Sequence, residues 1–81
     1  MVKGFAAETI AELELLARFD LGSLQSGIKI HHEAPATVIA AAERLFDKGM
    51  ISQQDGGYLT DRGLEAAEAL DRSLSLLGVE G

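Results

Sequence analysis

The rhythm of apolar and polar positions changes repeatedly along the chain, and each change predicts an element. From about Glu8 to Phe19, the apolar residues Ile10, Leu13, Leu16 and Ala17 recur at three- and four-residue spacing. Glu12, Glu14 and Arg18 fall elsewhere on the wheel, so the segment reads as an amphipathic helix. Glu8 and Glu12 near its start and Arg18 near its end suit the helix dipole. Pattern then breaks at Asp20, Gly22, Ser23, Ser26 and Gly27, with room for one short helical turn over residues 21–25. In GIKIHH, Ile28 and Ile30 alternate with Lys29 and His31, which predicts a short half-buried strand over 28–31. Pro35 suits the first position of a helix running to Lys48, with Val38, Ile39, Ala42, Leu45 and Phe46 as its stripe and Gly49 as its left-handed cap. Strands over 51–54 and 57–60 flank Asp55-Gly56-Gly57, whose positive-φ residues suit a tight hairpin. Thr60 is a good N-cap for a last helix over 61–77, with Asp61 in its first turn. There Leu64, Ala67, Leu70, Leu74 and Leu77 form a near-heptad seam, widened by Ala66, Ala69, Ser73 and Leu76, and Gly78 ends it.

The predicted class is α+β: mainly helical, with a small antiparallel sheet made of one short strand and a two-stranded hairpin. A length of 81 residues fits one domain, residues 1–81, and no internal repeat or linker interrupts it. A chain this short buries only roughly 60–65% of the surface its unfolded form exposes, so its stability is expected to be marginal without help. It has no cysteine, which removes disulfides, thiolate metal sites and cysteine nucleophiles together and suits a reducing compartment. With 47% hydrophobic and 25% charged residues it has the balance of a folded globule. The start lacks the uninterrupted apolar run of a secretory signal, and the longest apolar stretches fall far short of a bilayer span. We therefore expect a soluble cytoplasmic protein with no membrane partner.

Helix, strand, helix, hairpin, helix is also the order of a winged helix-turn-helix domain. The string ERLFDKGMI followed by GGYLTDRG resembles the helix-to-wing-to-helix passage of many winged-helix regulators, the MarR-like and PadR-like families among them. Leu45, Gly49 and Ile51 match the way into the wing, and Tyr58, Leu59, Thr60 and Gly63 the way out. That similarity covers about residues 35–66. The whole chain, through GIKIHH and DGGYLT, further resembles a family of short uncharacterised proteobacterial proteins often labelled as candidate DNA-binding proteins. The resemblance implies that residues 35–48 would be the recognition helix. It makes Lys29, Thr37, Arg44, Lys48 and Arg62 the candidate DNA-binding residues.

Charge argues against that use. The net charge is −6, both ends of the chain are acidic, and no contiguous basic patch is visible. Base edges are read chiefly by Arg, Lys, Asn and Gln in the N-terminal half of a recognition helix. Here the positions expected to be exposed are Ala36, Thr37, Ala40 and Ala41, followed by Glu43 and Asp47. The wing tip, Gln53 to Gly57, has no cation either. Because phosphate contacts supply most of the affinity, DNA is possible but disfavoured.

Other chemistry is weaker. His31-His32-Glu33 suggests metal ligation, but closed zinc sites want about four ligands and the chain has no further histidine. The serines lack a nucleophile-elbow context and DGG lacks a phosphate-loop pattern, so we expect no enzyme, no metal and no cofactor. Two functions are therefore weighed. One is a non-enzymatic regulatory or adaptor module binding an unidentified protein partner through a winged-helix scaffold. The other is a DNA-binding transcriptional regulator. In either case Leu64, Ala67, Leu70, Leu74 and Leu77 are the expected interface of a homodimer, since a small core gains from extra burial.

Overall fold

The structure, a computed structural model, describes residues 4–79. It contains α1 (Ala7–Leu16), β1 (Ile28–Lys29), α2 (Ala36–Asp47), β2 (Ile51–Gln53), β3 (Gly56–Leu59) and α3 (Asp61–Leu77). The strands form one antiparallel sheet in the order β1-β3-β2. This is an α+β domain with a winged-helix-like layout, as the pattern predicts.

Several boundaries differ from expectation for local reasons. α1 stops at Leu16 because its last turn tightens: Arg18 and Phe19 donate to the carbonyls of Leu15 and Leu16, three residues back, at 3.1 and 3.3 Å. Pro35 is the extended N-cap of α2 rather than its first helical residue. No helix forms between Asp20 and Ala34. Polar side chains and turns organise the start of that segment: Asp20 Oδ1 accepts from the Gly22 amide at 2.8 Å, and the Ser23 and Ser26 hydroxyls lie 2.8 Å apart. β1 ends at Lys29, so His31, His32 and Glu33 share no strand face. The hairpin turns at Gln54-Asp55, one step earlier than expected, and Gly56 and Gly57 open β3 with φ of 121° and 75°. Register between β2 and β3 shifts at this point, and Ser52 Oγ accepts from the Tyr58 amide at 2.9 Å.

The core joins Leu15, Leu16 and Phe19 to Ala41, Ala42 and Leu45 of α2, Ile30 beyond β1 and Ile51 of β2. Ala41 and Ala42 let α1 and α2 approach closely. Ala41 is fully buried, contrary to its expected place on the free face of α2. The α1 stripe is rotated too, with Ile10 and Ala17 exposed and Glu12 buried.

The passage that carries the family resemblance acts as a set of backbone clasps. α2 ends in a Schellman motif, in which Gly49 at φ 75° donates to Phe46 O at 2.9 Å and Met50 donates to Leu45 O at 2.9 Å. The Thr60 amide then donates to Met50 O at 3.1 Å, and its hydroxyl donates to Gly49 O at 2.6 Å. The same hydroxyl oxygen accepts from the Gly63 amide at 3.1 Å, capping α3. Gly63 lies so close to the Met50 carbonyl that a Cβ there would overlap it.

Candidate functional site

The winged-helix resemblance points to α2, and its surface is decided by α1 lying across it. Thr37, Arg44 and Lys48 recur at about one- and two-turn spacing and so share one side of α2. That side meets α1. Thr37 is exposed but borders a shallow cavity shared with Ala7, Ala11 and Ala40. Arg44 is half-buried, its Nε donating to Glu12 Oε2 at 3.0 Å and its Nη2 to the Glu8 carbonyl at 3.2 Å. Lys48 Nζ donates to the other oxygen, Glu12 Oε1.

Glu12 thus holds both cations of the would-be recognition helix. Burial raises its pKa, but hydrogen bonds and charge from Lys48 and Arg44 outweigh that effect and hold the carboxyl below its ordinary value. Beside the half-exposed Lys48, the far end of α2 presents Glu43, Phe46 and Asp47 to solvent, two carboxylates and an aromatic ring. Phe46 was expected in the core stripe, yet it is exposed.

The remaining candidates lie apart from this cluster. Lys29 sits on β1 beside an open cavity of about 550 Å³ that also borders His31, Glu43 and Asp55. Arg62 is exposed in the first turn of α3. Among the described residues no hydrogen bond or ion pair ties either one to Arg44 or Lys48. Nor does any group of three or more His, Cys, Asp or Glu among them have the arrangement to hold a metal ion. No helix among them is long and apolar enough to cross a membrane.

The seam predicted on α3 divides in two. Ala67 is buried in the chain's own interior, and Leu64 is half-buried. Leu70 and Leu74 are half-buried, while Leu76 and Leu77 are 83% and 76% exposed. Surface apolar character therefore concentrates in the last turns of α3.

Fold and surface together define a small winged-helix-like α+β domain in which both cations of the would-be reading helix are tied to one carboxylate of α1. The chain belongs to the Family of unknown function (DUF5669), which matches residues 3–78. Neither a curated protein nor a solved structure matches it.

Proposed function

We propose that this chain is a non-enzymatic regulatory or adaptor module that uses its winged-helix-like scaffold for protein–protein interaction, working in the cytoplasm as a homodimer. The observation that carries the reading is the engagement of Arg44 and Lys48 by one buried carboxylate, Glu12. A winged helix that reads DNA presents cations to phosphate, and releasing these two would leave Glu12 buried and unpaired. Apart from Lys48, which Glu12 engages, the charged groups α2 offers to solvent are the carboxylates Glu43 and Asp47, and phosphate repels them. Protein partners tolerate such a surface, and the apolar end of α3 offers a place to bind them. Absence of cysteine suits a reducing cytoplasm.

The competing reading, a DNA-binding transcriptional regulator, has one observation in its favour: Lys29 and Arg62 are exposed, and a dimer would double them. Titration with mixed-sequence duplex DNA at low salt, repeated as salt rises, separates the two. The interaction-module reading expects no binding even at low salt. Binding whose log–log salt slope reaches several units would overturn it, since that slope counts released counterions.

A further inference from the structure

α3 and the chain leaving α1 enclose an open groove of about 310 Å³, lined by Leu16, Phe19, Leu70 and Leu74 with Asp20 and Asp71 among them. Its chemistry is apolar with an acidic component. That volume lies at the small end of the range for small-molecule sites, and apart from the two carboxylates the side chains lining it are apolar, which leaves little to orient a small ligand. A segment that fits should be apolar and carry a cation about one turn from its apolar end.

α3 itself ends in such a segment. Leu76 and Leu77 are the most exposed large apolar side chains among the described residues. Arg72 precedes Leu76 by four residues, so the two share one strip of the helix. Arg72 has no ion-pair partner among the described residues, where both ion pairs belong to Glu12. Within one chain, knob and groove sit on the same helix, so the knob cannot enter its own groove. Between two copies related by a two-fold axis, each knob can enter the other's groove, the self-complementarity that an isologous interface requires.

Resting on the self-pairing read above for α3, we propose that the occupant of this groove is the end of α3 from a second copy. Leu76 and Leu77 of each chain pack against Leu70 and Leu74 of the other, and Arg72 of each faces the other's Asp71 across an antiparallel α3 pair. The pairing covers the overhanging turns of α3 and extends a core too small to be strongly stable alone.

Sedimentation at tens of micromolar tests it. The wild-type chain should show twice the 8.6 kDa mass of one chain. Leu76→Ser combined with Leu77→Ser, at positions outside the core, should run as a single chain with unchanged helical circular dichroism. A charge swap guards against misfolding of that variant. Arg72→Asp or Asp71→Arg alone should weaken association by about tenfold, since symmetry counts each reversal twice, and the two together should restore it. A wild-type monomer, a double-serine variant that still pairs, or a charge swap that fails to restore pairing would each overturn the proposal. The first of these would also end the homodimer on which the proposal rests, whereas the other two would overturn this groove alone and leave self-pairing standing. The choice between interaction module and DNA-binding regulator is decided separately by the DNA titration.

Discussion

A glutamate whose side chain is only 10% exposed persists in a small core when cations compensate it, and Glu12 has two. Glu12→Gln removes the charge and leaves Arg44 and Lys48 competing for one acceptor oxygen. Because their side chains are 33% and 52% exposed, water screens part of the loss, and we expect about 1–2 kcal/mol of destabilisation at neutral pH by urea denaturation. The sign with pH follows from the lowered pKa. A depressed native carboxyl stabilises fully above the unfolded value near 4.5 and loses that contribution as pH falls through the native value. The difference between wild type and Glu12→Gln should therefore stay constant from pH 7 to about 4.5 and shrink below it, while the other carboxylates cancel in the comparison. A difference that persists undiminished at pH 2 would mean that packing, and not the ion cluster, sets the role of Glu12. This residue was legible in principle. Leu15, Leu16 and Phe19 stand three, four and seven residues after it, which places Glu12 on the buried stripe, whereas the phase drawn through Ile10, Leu13 and Ala17 turned it outward. Both phases have helical spacing. What chooses between them is packing against α2, where Ala41 and Ala42 share the core with Leu15, Leu16 and Phe19, a tertiary fact that periodicity cannot carry.

Elements whose ends are set by local chemistry were the ones pattern could place. α3 runs from Asp61 to Leu77 as expected because Thr60 caps one end and Gly78, at φ 82°, closes the other. α2 ends as expected because Gly49 supplies its left-handed residue. The Thr60 and Gly63 pair does more than cap: it ties the start of α3 to the carbonyls of Gly49 and Met50 on the far side of the wing. Thr60→Val keeps the shape but loses both hydroxyl bonds, and should cost about 1–2 kcal/mol. Gly63→Ala drives a methyl into backbone that cannot swing aside, and should cost about 1–3 kcal/mol although alanine favours helix. If thermal unfolding showed Gly63→Ala as stable as wild type, close packing at Met50 would not explain the glycine. The segment from Asp20 to Gly27 resisted reading for the opposite reason. It is shaped by the Asp20 and Ser23 side chains bonding locally, whereas the alternation through Ile28 and Ile30 does mark β1, beyond which Ile30 donates to Asp55 O at 2.6 Å. Local bonds of that kind, between side chains and nearby groups, leave no periodic trace.

At the scale of the whole molecule, the buried interior is short of bulk. Three of the side chains completing it are Ala41, Ala42 and Ala67, while Leu76, Leu77 and Val79 remain on the surface. An isolated chain of this kind would gain from covering that end, and a dimer makes stability depend on how much protein is present. When two chains unfold together, a hundredfold rise in concentration adds about 2.7 kcal/mol per dimer by mass action, shared between two chains. For a domain of this size each kcal/mol shifts Tm by about 4–8 °C, so Tm should climb by about 5–10 °C over that range. The variant carrying serine at positions 76 and 77 should melt at one temperature whatever its concentration, because its folded unit is a single chain. Calorimetry at three concentrations reads both slopes. A flat wild-type Tm would make the exposed leucines of α3 surface for some other protein, and the acidic strip of Glu43 and Asp47 would then be the first place to look for the charge that partner must carry.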